Sequence, residues 1–248
     1  MELQLRMLGT GGAFSTRYAN NNALMTIGDF TLLVDCGVTA IRSLHEMKVP
    51  LTSIDGVFIT HQHADHIGGL EEFAFQMLYV YRQKPKLFVP STLRNVLWEN
   101  SLKGGMINPE AGLNSLDDYF EVIEIAEGSA AKLSEDFRLE ILPSEHVRYK
   151  SSYSLLVNDR LYYSADTRFN RARLEELHDR GVRYFLHECK LYGAPGVHTT
   201  LEELLTLPEE LQEKIQLMHY SDDMENYIGR TGPMTFLHQH ELYRYPLD

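Results

Sequence analysis

His61-Gln62-His63-Ala64-Asp65-His66 is the stretch of sequence that decides the fold. Within six residues it places three imidazoles and a carboxylate, all of which bind zinc-class ions. The apolar run Ile54–Thr60 before it is typical of a buried strand, and apolar residues within 70–81 recur at the spacing of one helical face. The cluster is therefore predicted to lie on a strand-to-helix turn at the edge of a sheet, where converging side chains can enclose ions.

Length and composition predict one α/β domain over residues 1–248. The 248 residues are 44% hydrophobic and 23% charged, which is enough to build a sizeable core. No uncharged apolar run approaches the ~20 residues needed to cross a bilayer, and the N-terminus lacks a signal-peptide core. Cys36 and Cys189 are too few for a disulfide framework, so we expect a reduced, cytoplasmic setting without a membrane partner.

The charge balance argues against long nucleic acid as a partner. Proteins that grip nucleic acid carry a basic footprint, because neutralising phosphates supplies most of that affinity. This chain has a net charge of −12 and no run of lysine or arginine. A small anionic substrate remains open, since bound dications supply local positive charge.

The apolar patterning predicts strands that crowd early and late in the chain, with helices between them, as in mixed sheets with helices outside. The predicted strands are Leu3–Leu8, Leu24–Ile27, Phe30–Asp35, Gly56–Thr60, Lys86–Val89, Tyr119–Ile123, Phe137–Leu142, Ser154–Val157, Leu161–Ser164, Arg183–His187 and Ile215–Met218. The predicted helices are Thr39–Met47, Ile67–Arg82, Ser91–Ser101, Arg171–Asp179 and Leu201–Thr206. Val157–Leu161 has the chemistry of a tight hairpin, whereas Lys103–Asp118 lacks periodicity and is either a surface connection or a lid or partner contact.

Three further residues of ligand type follow predicted strands. His146 follows the strand Phe137–Leu142, Asp166 follows Leu161–Ser164, and His219 follows Ile215–Met218. Each strand thus delivers a polar side chain to a sheet edge, where binding sites form. Two metals need more ligands than the His61–His66 stretch supplies, and these three residues are the candidates.

The order HxHxDH, then His146, Asp166 and His219, resembles the metallo-β-lactamase superfamily of binuclear zinc hydrolases. The resemblance implies a four-layer αββα sandwich that covers nearly the whole chain. It also implies two zinc ions, with manganese or iron as further metals that suit nitrogen and oxygen ligands. By that analogy one ion is held by His61, His63 and His146, the other by Asp65, His66 and His219, and Asp166 bridges them. Asp35 is either a residue that orients the histidine loop or a buried turn-forming aspartate.

His187-Glu188 and His198-Thr199-Thr200 resemble motifs of the tRNase Z-like branch, whose members are phosphodiesterases. In that branch the glutamate orients the histidine, which helps to protonate the leaving alkoxide. The departures here are Cys189 for alanine and Thr199 for serine, and neither replaces a group with a proposed chemical role. The alternatives are that His198 only starts a helix and that Glu188 is an ordinary strand-end carboxylate.

The short spacing after the third histidine argues against tRNA as the substrate. A single-chain tRNase Z places its tRNA-clamping arm between the third histidine and the bridging aspartate, but His146 and Asp166 are only 20 positions apart. A cysteine-rich zinc site, found in cyclic-phosphate phosphodiesterases of phosphonate breakdown, is also missing. In length and in the missing arm, the sequence resembles the anti-Pycsar phosphodiesterases, phage-encoded and related bacterial enzymes that destroy cyclic nucleotide immune signals.

The resemblance implies hydrolysis of 3′,5′-cyclic nucleotide monophosphates to 5′-monophosphates. The expected nucleophile is hydroxide generated between two metal ions, oriented by Asp65, while His198, held by Glu188, protonates the departing 3′ oxygen. The alternatives are another tRNase Z-like or small cyclic-phosphate phosphodiesterase, a thioester or lactone hydrolase, and a catalytically silent binding protein.

The residues that bind the base and the assembly state are less well marked in the sequence. Relatives form homodimers, so we expect a homodimer, with Lys103–Asp118 as one candidate contact. The aromatic candidates for base stacking are Tyr149, Tyr153, Tyr192, Tyr220 and Phe236, although core packing is the commoner role of such residues.

Overall fold

Two sheets of seven strands form the framework of the protein in a computed structural model that describes residues 1–248. The strands are β1 (Glu2–Gly9), β2 (Asn22–Ile27), β3 (Phe30–Val34), β4 (Gly56–Phe58), β5 (Lys86–Pro90), β6 (Glu121–Ile125), β7 (Ala130–Lys132), β8 (Arg138–Ser144), β9 (Ser152–Val157), β10 (Leu161–Tyr163), β11 (Tyr184–Glu188), β12 (Ile215–Met218), β13 (Thr235–Phe236) and β14 (Leu242–Pro246). The first sheet has the order β14-β1-β2-β3-β4-β5-β6, and the second has the order β13-β12-β11-β10-β9-β8-β7.

Each sheet combines an antiparallel half with a parallel half. In the first sheet β14, β1, β2 and β3 pair antiparallel, and β3 to β6 pair parallel. In the second sheet β7 to β10 pair antiparallel, and β10 to β13 pair parallel. Because β8 and β10 both pair antiparallel with β9, their carboxyl ends reach the same edge of the sheet as those of β11 and β12.

The helices are short and lie on the outer faces of the sheets. They are α1 (Ala40–Glu46), α2 (Ala64–Ile67), α3 (Leu70–Phe75), α4 (Ser91–Leu97), α5 (Lys103–Met106), α6 (Leu116–Tyr119), α7 (Arg171–Asp179), α8 (Leu201–Leu204) and α9 (Glu209–Gln212). Wider π-type turns extend α3 over Gln76–Val80 and α4 over Trp98–Leu102, and 3₁₀ turns occupy Leu51–Ser53, Pro109–Ala111 and Met224–Tyr227. None of these helices combines the length and apolar character that crossing a bilayer requires.

The core explains the layer order. Successive residues of a strand point to opposite faces of the sheet, so β9, which is buried along its whole length, must be covered on both sides. Leu155 belongs to the main core, which joins both sheets and the helices on the first sheet. Leu156 belongs to a second core, where Leu177 of α7 and Leu204 of α8 cover the second sheet. The layers are therefore helix, sheet, sheet, helix.

Most predicted elements are present, with differences at their ends. The predicted hairpin at Val157–Leu161 is confirmed, because Val157 pairs with Leu161 across a turn in which Asn158 and Asp159 have positive φ. The predicted continuous helix Ile67–Arg82 is wrong, since α2 ends at Ile67 and α3 starts at Leu70. The strand predicted to start at Tyr119 starts at Glu121, because Tyr119 closes α6.

Other differences arise in segments with weak local patterns. Lys103–Asp118 is not free of regular structure but contains α5, a 3₁₀ turn and the start of α6. The strands β7, β13 and β14 and the helix α9 were not predicted. All four are short, and β14 is held by pairing with β1 at the far end of the chain.

Gly37 fixes the position of the metal-ligand stretch. A Cβ at this residue would lie 1.9 Å from the carbonyl oxygen of Asp65, so the two backbones can approach only at glycine. Asn22 joins them, because its Oδ1 accepts from the Gly37 N–H at 2.8 Å and its Nδ2 donates to the Asp65 carbonyl at 3.1 Å. The loop after β3 and helix α2 are thereby held together.

We predict that Gly37→Ala lowers the free energy of unfolding by about 1–3 kcal/mol, because the added methyl group overpacks this contact. Gly104→Ala is the matched control: nothing lies within 4 Å of a Cβ there. Gly104 lies in α5, so its replacement should stabilise the chain by up to ~1 kcal/mol. Chemical denaturation of both variants measures the difference, and equal stabilities would contradict the role given to Gly37.

Candidate metal centre

The candidate ligands meet where strands of both sheets end. His61 follows β4, and Asp65 and His66 lie on α2 immediately after it. His146, Asp166 and His219 follow β8, β10 and β12 of the second sheet. Because these strand ends share one edge, residues from four separate parts of the sequence converge there. The structure thus brings together all seven predicted ligand residues, in two groups that share Asp166.

The first group contains three imidazole nitrogens that face one another. The Nδ1 atom of His63 lies 3.0 Å from Nε2 of His61 and 3.2 Å from Nε2 of His146. The Oδ2 atom of Asp166 lies 3.7 Å from both Nε2 atoms. A tetrahedral ion with bonds of ~2.0–2.1 Å separates its ligand atoms by about 3.3–3.4 Å, so these spacings suit a zinc-sized ion.

The second group contains two imidazoles and two carboxylates. Nε2 of His66 lies 3.2 Å from Oδ2 of Asp65 and 3.4 Å from Oδ1 of Asp166. Nε2 of His219 lies 3.3 Å from the same two oxygen atoms. Asp166 therefore presents Oδ2 to the first group and Oδ1 to the second, which is the arrangement that a bridging carboxylate needs.

The protonation of the two groups differs because only the second contains an additional carboxylate. Burial lowers the pKa of His61, His63 and His146, which keeps these rings in the neutral form that binds metals. Burial is the largest influence on His219 and would lower its pKa, but Asp166, Asp65 and Glu188 together outweigh it and raise this pKa to about 10.

Asp166 itself stays ionised in the interior. Burial alone would raise the pKa of its carboxyl group, but His219 and His66 hold that pKa well below its usual range. A carboxylate that is 1% exposed is costly unless positive charge compensates it. Two carboxylates and two imidazoles thus share this buried group, and a cation that replaced the imidazole protons would supply the compensating charge.

Hydrogen bonds outside the two groups fix which histidine nitrogen faces inward. Nδ1 of His146 donates to the Val197 carbonyl at 2.7 Å, and Nδ1 of His66 donates to Oδ2 of Asp35 at 2.7 Å. Nδ1 of His61 lies 3.1 Å from the Thr60 hydroxyl, which in turn donates to Asp35. With Nδ1 occupied in each ring, the Nε2 lone pair is free for an ion.

Of the two interpretations that the sequence left open for Asp35, these contacts support the one in which it orients the histidine loop. Its carboxylate is fully buried and also accepts from the Thr60 N–H at 2.8 Å. Thr60 was not identified from the sequence, although its position directly before His61 and after a buried strand is a usable signal.

Three residues at the centre have left-handed backbone conformations that cost free energy. Asp35 has φ of 62°, Ala165 has 49° and His219 has 55°. Each such conformation costs of order 1–3 kcal/mol outside glycine, and it persists only where the surroundings enforce it. These residues lie just after β3, β10 and β12, where Asp35, Asp166 and His219 enter the centre.

The residues present fit metal ions. Nε2 of His66 and Oδ1 of Asp166 are buried and make no hydrogen bond to the protein, which is expensive for polar atoms unless an ion binds them. Nitrogen and carboxylate ligands with an outer layer of hydrogen bonds are typical of zinc sites.

A buried carboxylate–histidine pair lies beside the two groups. Glu188, at the end of β11, is fully buried and accepts from the backbone N–H of Thr167 and, at 2.8 Å, from Nδ1 of His198. Its negative charge is stable there: burial alone would raise its pKa, but the bonds to His198 and His219 lower it. The His198 side chain is 28% exposed, so its other nitrogen is accessible from the cavity.

Two adjoining cavities open above the centre. One, of about 620 Å³, is lined by His63, Asp65, His146 and Asp166, and the other, of about 490 Å³, by Glu188, Tyr192 and Tyr220. His198 and Phe14 line both. Phe14 was missed by the sequence analysis, although the glycine-rich loop that carries it follows β1 at the same edge.

The predicted base-stacking residues separate into accessible and inaccessible ones. Tyr153 and Tyr220 are each 1% exposed and pack in the interior, and Phe236 packs edge-on against Tyr220. Tyr149 lines a different cavity, with Arg148 and Lys150. Of the five candidates, only Tyr192 is exposed in the cavity beside His198.

Comparison with known proteins identifies similar sequences over the full length. The sequence profile of the family described as "Anti-Pycsar protein Apyc1" matches residues 3–243. A protein of that name from Paenibacillus xerothermodurans is 52% identical over 246 residues, covering 99% of this chain and 98% of its own. Another of that name from Bacillus phage BSP38 is 43% identical over 254 residues, with 97% of each chain covered.

Solved structures of low sequence identity share the fold. The metallo-β-lactamase fold protein YhfI from Bacillus subtilis superposes with a TM-score of 0.76 at 16% identity, covering 98% of this chain and 99% of its own. A diphosphatase from the PhnP family gives 0.77 at 17% identity, with 98% of each chain covered. The short form of human tRNase Z gives 0.69 at 18% identity, with 98% and 99% covered. The predicted four-layer αββα metallo-β-lactamase sandwich is confirmed.

We predict that Asp35→Asn weakens metal binding by about 10- to 100-fold, because His66 loses the anionic acceptor that orients its ring. Competition with a chromophoric chelator measures this affinity independently of any activity. Asp55→Asn is the matched control, since exposed Asp55 also accepts a backbone N–H, from Thr31 at 2.8 Å, away from the centre. Equal affinities for the two variants would contradict the role of Asp35.

Proposed function

The chain belongs to the anti-Pycsar Apyc1 family, and we propose that it is a metal-dependent phosphodiesterase that hydrolyses 3′,5′-cyclic nucleotide monophosphates to nucleoside 5′-monophosphates. The observation that carries the proposal is the buried Glu188–His198 pair beside two ligand groups joined by Asp166. A metal centre alone suits many hydrolyses, whereas a positioned proton donor is needed most where the leaving group is an alkoxide.

The two ions are proposed to be zinc, held by His61, His63 and His146 on one side and by Asp65, His66 and His219 on the other, with Asp166 shared. Manganese also suits these nitrogen and oxygen ligands. When bound, two such ions lower the pKa of water toward neutrality and offset the charge that builds on the phosphoryl oxygens.

Three residues of the protein, Asp65, His198 and Glu188, have the remaining roles in the reaction. Asp65 accepts a hydrogen bond from the attacking hydroxide, formed when the water releases its proton to solvent, and orients it toward phosphorus, in line with the 3′ oxygen. As the new P–O bond forms and the P–O3′ bond breaks, His198 donates its Nε2 proton to the departing oxygen. Glu188 is a positioning residue, because it holds Nδ1 of His198 and stabilises the protonated ring before transfer.

Size and charge favour a small substrate over tRNA. The 19 residues between His146 and Asp166 are occupied by the end of the His146 loop and the β9–β10 hairpin, so no clamping arm is inserted there. The chain carries a net charge of −12, which opposes a long polyanion. A cyclic mononucleotide carries a single phosphate, which the centre can neutralise.

A thioester or lactone hydrolase is the second candidate, since the same ligand groups would serve it. The buried Glu188 argues against it, because a better leaving group has less need of a held proton donor. A catalytically silent nucleotide-binding protein is the third, and it would not need an accessible His198 held by Glu188.

We also infer a homodimer that works in the cytoplasm, where cyclic nucleotide signals are found. The Lys103–Asp118 segment is a candidate contact, because Ile107 is 39% exposed on it. Light scattering of the purified chain distinguishes a dimer from a monomer.

We predict that His198→Ala lowers kcat for cyclic nucleotides by about 10²- to 10⁴-fold while both metals stay bound. The loss should be much smaller with bis(p-nitrophenyl) phosphate, because nitrophenolate leaves without a proton. Steady-state kinetics and elemental analysis measure the two effects. His45→Ala, at an exposed histidine of α1, is the control and should behave as the parent protein. An equal loss with both substrates would show that His198 is not the proton donor.

We further predict that the metal-loaded protein converts cyclic mononucleotides to 5′-monophosphates, and that it leaves cyclic dinucleotides, precursor tRNA and thioesters largely intact. Removing metal with a chelator should abolish turnover, and zinc or manganese should restore it. Chromatographic product analysis measures both effects. Cleavage of precursor tRNA or of a thioester at a higher kcat/KM than cyclic mononucleotides would overturn the proposed substrate class.

A further inference from the structure

Phe14 stands at the junction of the two cavities above the metal centre. Its side chain is 96% exposed, and it lines both the cavity over Asp65 and Asp166 and the neighbouring one that contains Tyr192. Single exposed apolar residues are common on protein surfaces. This one differs because it occurs at the mouth of a candidate active site, on a loop that the rest of the structure holds in place.

Asp222 fixes the loop that carries Phe14. Its carboxylate accepts from the hydroxyl and the backbone N–H of Thr16, at 2.7 Å and 3.0 Å, and from the Arg17 N–H at 3.0 Å. The Ser15 hydroxyl also donates to it. Arg17 adds an ion pair with Glu225 at 2.8 Å. Phe14 is therefore an exposed ring on a preorganised loop, so that binding against it costs little ordering entropy.

A second exposed ring lines the same cavity. Tyr192 is 56% exposed and shares the cavity of about 490 Å³ with Phe14, Leu191 and Val197. This volume falls in the range of small-molecule sites, and apolar and aromatic walls are typical of them. Its lining includes one lysine, Lys190, against the carboxylates of Glu188, Asp222 and Asp223, so it does not suit a second phosphate.

His198 connects this cavity to the chemistry. It is the proposed donor to the 3′ oxygen, and it lines both cavities. If the phosphate lies over Asp166, the proposed donor role of His198 requires the ribose to lie next to His198. The base attached to that ribose would then reach the neighbouring cavity, where Phe14 and Tyr192 are exposed.

We propose that Phe14 and Tyr192 bind the nucleobase by stacking and that Asp222 positions Phe14 for this purpose, an inference that rests on the proposed function. Every base has an aromatic face, so stacking holds all four with little selectivity, and purines more strongly because their rings are larger. We therefore expect the site to accept several bases without reading their edges.

The experiment compares substrates with and without a base. Phe14→Ala and Tyr192→Ala should each lower kcat/KM for cyclic AMP and cyclic GMP by about five- to thirtyfold, mainly through KM, and less for cyclic UMP. The methyl riboside of 3′,5′-cyclic phosphate lacks a base and should be hydrolysed at the parent rate. Phe14→Tyr keeps the ring and should restore turnover of cyclic AMP. Tyr81→Ala, an exposed aromatic residue outside this cavity, is the matched control.

The outcomes separate this inference from the proposed function. If the parent protein hydrolyses cyclic nucleotides and Phe14→Ala and Tyr192→Ala match it, the stacking site is wrong and the phosphodiesterase stands. If kcat/KM of both variants falls as much for the base-free substrate as for cyclic AMP, the rings serve structure instead. If the variants dissociate into inactive monomers, the rings serve assembly. If the parent protein hydrolyses no cyclic nucleotide, the proposed function fails and the stacking site with it.

Discussion

The charge on Asp166 is the constraint on which the rest of the structure depends. An ionised carboxylate in the interior must be compensated, and here imidazoles surround it on both sides. Its two oxygens face different ligand groups, so one side chain both joins the groups and sets the distance between them. Ala165, the residue before Asp166, has a left-handed φ of 49°, a conformation that persists only where the surrounding structure enforces it. Two bound cations would offset the cost of this arrangement.

The supporting contacts follow from the same constraint. A histidine binds an ion in a defined direction only if its other nitrogen is engaged, and Asp35, Thr60 and the Val197 carbonyl provide those partners. Glu188 orients His198 in the same way, although His198 binds no ion in the proposed mechanism. It holds His198 from a fully buried position while leaving that ring accessible from the cavity, as expected of a proton donor. The fold therefore presents Asp35, Asp166, Glu188 and His219 at or just after the ends of strands, and Asp65 and His66 on the helix that follows β4.

The sequence was sufficient for the parts of the structure in which residue type and local pattern agree. The HxHxDH stretch, His146, Asp166 and His219 each follow an apolar strand, and the Asn158-Asp159 turn has the residues that its positive φ values favour. The parts that it missed depend on tertiary contacts. Strand β14 exists because β1 provides a partner more than 230 positions away, and the break between α2 and α3 exists because Gly69 packs against the backbone of Gly37. Phe14 could not be identified as a site residue from the neighbouring sequence, because the loop that carries it is held by Asp222, which is distant in the chain.

The central claim is that two cations share Asp166, and metal content combined with magnetic coupling tests it most directly. The chain would be stripped of metal, reloaded with manganese, analysed for bound manganese per chain and examined by electron paramagnetic resonance. The account predicts two ions per chain with the multiline spectrum of a coupled pair, because a bridging carboxylate places them within a few ångströms of each other. One ion per chain, or two ions with uncoupled spectra, would contradict it.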